Sequence, residues 1–168
     1  MKTNKITPLT FDLVDLPEEG LELEGTVTPE ELGLEDEPGI TFDRPVAFRL
    51  HLAPVNAAHD LLVRGRAETT VTRPCDRCNE PADCVLAAED ICHEYENAFG
   101  GILDLTDDIR EDILCVLPQH FYCREDCKGF CLKCGQNLNL GECGCEPDDE
   151  ATPTPESPWD CLDALKNS

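Results

Sequence analysis

The sequence has little positive charge, no long apolar run and no familiar catalytic motif. Only 13 of its 168 residues are Lys or Arg, against 36 Asp and Glu, so the formal net charge is −23. Such a chain does not bind naked nucleic acid through general electrostatics, because that needs Lys and Arg to neutralise phosphates. No apolar stretch is long enough to cross a bilayer. A nucleotide-binding glycine loop and a Ser/His/Asp arrangement are also missing, which favours binding over catalysis.

The charge and the N-terminal segment indicate where such a protein works. The acidic surface favours basic partners, although acidity can also serve solubility alone. Two lysines lie in the first ten residues but no apolar run follows, because Asp12 and Asp15 interrupt the only candidate. We therefore expect no signal peptide and a cytoplasmic location, in which thiols stay reduced.

Six of the twelve cysteines fall between residues 123 and 145, which is the strongest chemical signal in the chain. Cys131 and Cys134 form a C-x-x-C pair with Gly135 directly behind, the shape of a zinc knuckle. Thiolates at this spacing can both face one ion, and the glycine lets the backbone turn beneath them. A further C-x-x-C pair stands upstream at Cys75 and Cys78.

Eight cysteines are predicted to form two zinc sites. One set is Cys131, Cys134, Cys143 and Cys145, and the other is Cys75, Cys78, Cys123 and Cys127. A single site within 123–145, with the upstream pair left as thiols, is the rival arrangement. The remaining cysteines are expected to be small buried hydrophobes or spectators: Cys84, Cys92, Cys115 and Cys161. His120 precedes the cysteine-rich segment and is expected to be a surface histidine.

Disulfides, iron–sulfur clusters and redox catalysis are the other uses of closely spaced cysteines. A disulfide scaffold needs an oxidising compartment. Cys127, Cys131 and Cys134 match the C-x-x-x-C-x-x-C signature of radical SAM enzymes, but the 34 residues that follow are too few for such an enzyme. Four thiolates suit an iron–sulfur cluster as well as zinc, so both stay open. A thioredoxin-like role for the upstream pair needs a helix N-terminus, whereas the pair is predicted between strands.

Periodicity predicts an α+β fold: an antiparallel β-sheet with a packed helix and a C-terminal cysteine-rich zinc knuckle. Alternation predicts strands over 41–52, 61–73 and 82–90, with the upstream C-x-x-C pair in the turn of a hairpin. Residues 104–117 are predicted to be a helix, capped by Asp104 or Thr106 and ended by Pro118. Its apolar stripe is Leu105, Ile109, Ile113, Val116 and Leu117. A capping box at 28–31 predicts a further short helix.

Composition divides the chain into four parts. Residues 1–118 are expected to form the α+β domain and 119–146 the metal knuckle. Residues 147–156 are acidic and proline-rich, which is typical of a flexible linker. Residues 157–168 are predicted to form a short helix with the only tryptophan, Trp159, on its apolar edge.

Four of the thirteen basic residues gather within 14 positions, at Arg64, Arg66, Arg73 and Arg77. The first two share a strand face and the third points the other way. They are candidates for contact with phosphate once a basic protein has brought a complex together. The alternative pairs them with neighbouring acidic groups such as Glu68 and Asp76.

Several of these segments together resemble the bacterial YceD family, the large ribosomal RNA subunit accumulation proteins. The resemblance runs over roughly residues 9–166. It rests on these features: Cys75-Asp-Arg-Cys78, Leu117-Pro118, Asp126-Cys127-Lys128-Gly129-Phe130-Cys131, Cys134-Gly135-x-Asn137-Leu138-Asn139, Cys143-x-Cys145 and the end at 158–166. Leu132 stands where the family usually has proline. Some members lack most of these cysteines, so metal is not implied as the working part of the whole family.

The resemblance implies a non-enzymatic factor in the synthesis, processing or stability of large-subunit ribosomal RNA. Its expected partner is a ribosomal protein or a pre-ribosomal particle, with direct RNA contact left open, and zinc is the expected metal, as one or two ions. The alternative is a cysteine-based redox or metal-sensing protein, which accounts for the cysteines only.

Overall fold

The structure is a computed structural model that describes residues 9–14, 16–55, 60–98 and 100–145. Its elements are β1 (Thr10–Asp12), β2 (Leu21–Val27), β3 (Val46–Pro54), β4 (Leu61–Pro74), β5 (Pro81–Tyr95), β6 (Ile102–Asp104) and α1 (Thr106–Cys115). Strands β2-β3-β4-β5 form an antiparallel sheet in chain order, and β1 pairs with β6. The predicted antiparallel sheet is confirmed, but the described chain is mostly strand and its one helix is short.

The β4–β5 hairpin dominates the sheet, as the alternation of residues 61–73 predicts. Val63, Ala67 and Val71 are buried, whereas Arg64 and Arg66 on the opposite face are exposed. The hairpin closes with Pro74 paired to Pro81, and the C-x-x-C pair lies in the turn. β5 continues to Tyr95, beyond the predicted end at 90, because Ile91 returns to the core side and extends the pairing.

A β-bulge interrupts this hairpin near its middle. Gly65 pairs with Ile91 and Ala67 with Ala88, so Arg66 alone opposes both Glu89 and Asp90. A side chain at Gly65 cannot be accommodated, because a Cβ there would lie 2.1 Å from the backbone oxygen of Arg49 on β3. The glycine therefore allows the close approach of β3 and β4 beside the bulge.

The core lies between the inner face of the sheet and α1. Ile109 and Ile113 of α1 are fully buried and join the leucines and valines of β3 and β4 in one cluster. Two details of the helix prediction are wrong. The helix spans ten residues and not 104–117, and Val116 is exposed because the helix ends at Cys115 and turns it away from the stripe. The carboxylate of Asp104 accepts the Thr106 amide at 3.0 Å, just before the helix.

The N-terminal third departs most from expectation. The capping box is present, since the Thr28 amide donates to Glu31 at 2.9 Å and the Glu31 amide donates back at 3.3 Å. The helix predicted after it is wrong, because Gly33 at φ 64° ends the segment after a single turn. That turn buries Leu32 and Leu34. β2 was not predicted, and β3 begins at Val46 and not at residue 41, where Thr41 makes only an isolated bridge.

Two ion pairs connect the segment between β2 and β3 to β5 and to α1. Arg44 of the β2–β3 connection pairs with Asp83 of β5 at 2.6 Å, and Arg110 of α1 pairs with Glu37 at 2.5 Å. The predicted linker 147–156, the predicted helix 157–168 and Cys161 lie outside the described residues. Within the part that is described, no helix has the length and apolar character of a membrane span.

Candidate metal sites

Two groups of four cysteines converge in the structure, with the membership that the spacing predicts. The hairpin quartet is Cys75, Cys78, Cys123 and Cys127, and the knuckle quartet is Cys131, Cys134, Cys143 and Cys145. Within each quartet all four sulfurs lie within 4.8 Å of one another, a separation at which one ion can be shared. Cys75 and Cys78 are therefore gathered with Cys123 and Cys127 and do not stand apart.

The hairpin quartet joins two distant stretches of chain. Cys75 and Cys78 come from the β4–β5 turn, and the other two cysteines come from the segment after α1. The Sγ atoms of Cys75 and Cys127 are 3.8 Å apart, and those of Cys78 and Cys123 are 3.7 Å apart. Cys75, Cys78 and Cys127 are buried, and the three form a small cluster separate from the main core.

Local backbone bonds shape the turn that carries the first pair. The Cys75 amide donates to the carbonyl of Glu80 at 2.9 Å, and the Asn79 amide donates to the carbonyl of Cys75 at 2.8 Å. Asn79 takes φ 55°, a left-handed conformation that asparagine tolerates better than most residues. The tight turn points both sulfurs toward the incoming segment, as ligands of a single ion need.

The pKa values in the hairpin quartet diverge. Burial raises the pKa of Cys75, but amide hydrogen bonds from Cys123, Arg77 and Cys78 outweigh it and lower that pKa to about 6. Burial also raises the pKa of Cys123, to about 12, with its sulfur neighbours adding to the rise. For Cys127 burial raises the pKa, yet hydrogen bonds led by Asn139 leave it lowered. Backbone donors thus stabilise thiolates here, which suits ligation of a cation.

The knuckle quartet is more local and more exposed. A two-residue bridge between Phe130 and Asn137 closes the loop that carries Cys131 and Cys134. The Gly135 amide donates to the Cys131 carbonyl at 2.8 Å, with Gly135 at φ 71° as the C-x-x-C-G pattern predicts. Amide hydrogen bonds from Cys134 and Lys133 lower the pKa of Cys131 to about 6. The hydrogen bond shared with Cys134 and burial raise the pKa of Cys145 to about 12.

An asparagine pair connects the two quartets. Asn139 Nδ2 donates to Cys127 Sγ at 3.4 Å, and Asn139 Oδ1 accepts the Lys128 amide at 2.8 Å. Asn137 Oδ1 accepts Asn139 Nδ2 at 2.9 Å, and Asn137 Nδ2 donates to Glu80 of the hairpin at 3.3 Å. Sequence reasoning did not single out these residues for a role. Short amides beside ligand cysteines were the available signal, because such side chains orient metal ligands.

Arg73 and Arg77 attach the segment after α1 to the hairpin. Arg73 Nη1 donates to the Pro118 carbonyl at 2.9 Å, and its guanidinium lies 5.4 Å from the centre of the Phe121 ring. Arg77 Nη1 donates to the Cys127 carbonyl at 3.1 Å and stacks 4.2 Å from the centre of the Tyr122 ring. Both guanidinium groups therefore make internal contacts beside the hairpin quartet.

Arg64 and Arg66 occupy a different place, on the outer face of the sheet. They line an open groove of about 610 Å³ with Arg49, His51 and the acidic pair at the bulge. Arg64 lies opposite His51 and Arg66 lies opposite Arg49 across the strands. Arg49 pairs with Glu24 at 2.8 Å. Arg64 and Arg66 have no ion pair with any residue that the structure describes.

The remaining sequence candidates lie outside both quartets. Cys84 is buried under the sheet, whereas Cys92 and Cys115 are exposed and are spectators, not buried hydrophobes. His120 is largely exposed, with Nδ1 3.7 Å from a carboxylate oxygen of Asp76.

Comparison with known proteins identifies one similarity. Residues 87–166 match the model of a family described as "Large ribosomal RNA subunit accumulation protein YceD". The match covers slightly less than half of the chain, from the second half of β5 through α1 and the knuckle quartet. It leaves out β2, β3 and β4, and with them Cys75 and Cys78. No curated protein and no solved structure matches the chain.

Proposed function

We propose that the chain, whose residues 87–166 match the YceD family of large ribosomal RNA subunit accumulation proteins, is a non-enzymatic accessory factor for large-subunit ribosomal RNA. It acts in the synthesis, processing or stability of that RNA by binding, in the cytoplasm. Its partner is a basic ribosomal protein or an assembling particle. The family match is the observation that carries the proposal.

The charge of the chain supports a basic partner. A protein with a formal net charge of −23 is repelled by bare RNA and attracted by proteins rich in Lys and Arg. Several of its own few cations are held in internal ion pairs, which leaves the surface acidic. Binding should therefore weaken steeply as salt screens the surface charges.

Both cysteine quartets are proposed to hold zinc in a structural role. Sets of four thiolates leave no open position for a catalytic water, which is typical of structural zinc. The hairpin quartet would fix residues 119–145 against the sheet, and the knuckle quartet would stabilise the loop from Cys131 to Cys145. Metal analysis of anaerobically purified protein tests this: two zinc ions per chain are expected. One ion would favour the single-site arrangement, none would overturn the proposal, and iron with sulfide would identify a cluster instead.

A redox or metal-sensing role is the second candidate, favoured by the lowered pKa of Cys75. Thiolate character promotes thiol exchange. Cys75 is nevertheless only 2% exposed, so a disulfide or thiol partner has no access to its sulfur in this structure. The structural role therefore has the stronger support.

Direct RNA contact is a separate proposal that rests on Arg64 and Arg66. Both side chains are exposed and have no ion pair with any described residue, in a groove that also holds Arg49, Glu89 and Asp90. Alanine at both positions should reduce association with pre-ribosomal particles, with Arg124→Ala as an exposed control. Unchanged association would remove the RNA role of this strand.

Depletion of the protein in its own cells tests the function. A fall of large-subunit relative to small-subunit ribosomal RNA is expected. Normal ribosomal RNA with an altered thiol–disulfide balance would instead support the redox candidate. A pull-down at low salt should recover basic ribosomal proteins or particles, and raising the salt should release them.

A further inference from the structure

We propose that the edge of β5 beside α1 is the docking site for an extended, Lys/Arg-rich segment of the partner protein. This inference rests on the proposed binding of a basic partner and names the surface and the mode. The occupant would add to β5 as a further strand, with main-chain hydrogen bonds giving affinity and charge giving selectivity.

The outer edge of β5 is unpaired within the described residues. β5 is the outermost strand of the four-stranded sheet, and within the described ranges it pairs with β4 alone. At 15 residues it is the longest strand of the structure. A long edge strand presents a row of free amide and carbonyl groups, which is a template for another strand.

A groove runs along this edge of β5. It has a volume of about 320 Å³ and lies between β5 and the C-terminal half of α1. Its lining consists of Ala87, Ala88, Glu89, Asp90 and Ile91 from β5 and Asp112, Cys115 and Val116 from the helix side. Small and apolar groups form the walls, and no basic side chain lines the groove. Of its three carboxylates, Asp112 is paired with His93 Nε2 at 2.8 Å, so Glu89 and Asp90 supply the available charge.

The bulge places two adjacent carboxylates, those of Glu89 and Asp90, together on the surface of β5. In a regular strand successive side chains alternate between faces, so one of two adjacent acids would point toward the core. Because Glu89 and Asp90 together oppose Arg66, both are exposed while Ala88 and Ile91 on either side stay buried. Neither carboxylate has an ion-pair partner among the residues that the structure describes. Arg66 and Arg64 border the other side of the strand, in the outer groove.

The charge of this edge favours a basic strand over a second copy of the chain or RNA. Acidic side chains and bulges on an edge strand normally prevent pairing between copies of a protein. That protection works against a second copy of this chain, which carries the same acids, and against RNA. It does not work against a basic strand, which the same carboxylates attract. All eight lining residues also fall within the family-matched segment 87–166.

A peptide-binding assay with the full zinc-loaded chain tests the proposal. The probe is a fluorescent ten-residue peptide of alternating Lys and Val, compared with alternating Glu and Val and with the Lys peptide N-methylated at every second residue. The Lys peptide should bind at low salt and the Glu peptide should not. N-methylation blocks strand pairing but keeps the charge, so it should abolish most of the binding.

Charge reversal locates the site. Glu89→Lys/Asp90→Lys should weaken binding of the Lys peptide by about tenfold, because two exposed attractions become repulsions. The matched control is Glu18→Lys/Glu19→Lys, an adjacent exposed acidic pair that changes the net charge equally. This control should change affinity by no more than about twofold. Circular dichroism spectra of both variants report whether the fold is retained.

Several outcomes would overturn the proposal. Equal losses in the two variants would mean that binding follows net charge alone. Equal binding of the N-methylated peptide would exclude strand addition, and tight binding of a uridine 20-mer without peptide binding would assign the site to RNA. If Glu89→Lys/Asp90→Lys is still pulled down with large-subunit particles as strongly as wild type, the groove is wrong while the proposed function stands. If the variant loses both its interaction with large-subunit particles and its binding of the Lys peptide, the result supports the groove and the proposed function.

Discussion

Removing the hairpin quartet should lower stability in a zinc-dependent way. The perturbation is Cys75→Ser/Cys78→Ser, which takes two of four sulfurs from the quartet. Zinc stabilises a fold by the difference between its affinities for the folded and the unfolded chain. In the unfolded chain, gathering this quartet means closing the loop between Cys75 and Cys127.

The size of the effect follows from the length of that loop. Cys75 and Cys127 are 52 residues apart, and closing such a loop costs about 4 kcal/mol in the chain-entropy model. In excess zinc the hairpin quartet should therefore contribute about 4 kcal/mol, equivalent to roughly 8–16 °C in melting temperature for a chain of this size. The knuckle quartet spans 145 − 131 = 14 residues, for which the same model gives about 3 kcal/mol.

The assay is thermal unfolding by circular dichroism, with excess zinc and with chelator, alongside metal analysis. Cys84→Ser is the matched control, because Cys84 is also buried but lies outside both quartets. Cys84→Ser should lower the melting temperature by the same amount with and without zinc. The Cys75→Ser/Cys78→Ser variant should lose one zinc ion, and its melting temperature should respond less to zinc than that of wild type.

Limited proteolysis adds a positional readout. Without the hairpin quartet, the segment after Pro118 should become sensitive to cleavage, whereas loss of the knuckle quartet should expose only the loop beyond Phe130. Equal zinc dependence in wild type and Cys75→Ser/Cys78→Ser would refute the reasoning, as would two retained zinc ions in the variant.

Three further predictions follow from the same geometry. Zinc addition to the hairpin quartet at pH 7–8 should release fewer than four protons, because the pKa of Cys75 is lowered to about 6 and its thiol is already ionised; calorimetry in buffers of different ionisation enthalpy measures this, and release of four contradicts it. Asn139→Ala should weaken zinc binding at that quartet by about tenfold in a chelator competition, since its amide donates to a ligand sulfur; unchanged affinity would show that the contact is irrelevant. Gly65→Ala should destabilise by about 2 kcal/mol in denaturant titration because its Cβ meets a β3 carbonyl, whereas Gly144→Ala, with open space around it, should not.

The sequence predicted those parts of the fold in which one local rule is sufficient. Strict alternation in residues 61–73 identified β4, and the two C-x-x-C pairs indicated two groups of four cysteines, with a single site within 123–145 as the rival arrangement. β2 was missed because Leu21 and Leu23 alternate with glutamates at an edge where both faces are largely exposed, so little apolar contrast marks it. The helix predicted after Thr28 failed because a capping box fixes where a helix can start but not whether it continues past Gly33.

The site was harder to anticipate where long-range contacts decide. Composition grouped Arg73 and Arg77 with Arg64 and Arg66, yet the first two contact carbonyls and aromatic rings of the segment after α1. Sequence proximity cannot separate such roles, because a distant segment supplies the partners. The bulge could not be predicted from the sequence either. It exists because one residue of β4 lies opposite two residues of β5, and neither strand alone shows this.

The pairing of several of its few arginines within the chain affects how the protein responds to dissolved ions. Arg44, Arg73 and Arg110 are engaged by partners within the chain, and with 36 acidic against 13 basic residues the net field of the exterior is negative. Dissolved cations relieve the repulsion within that field and favour the compact state, while they compete with any basic macromolecule for the same carboxylates. Added salt should therefore act on folding and on association with opposite sign.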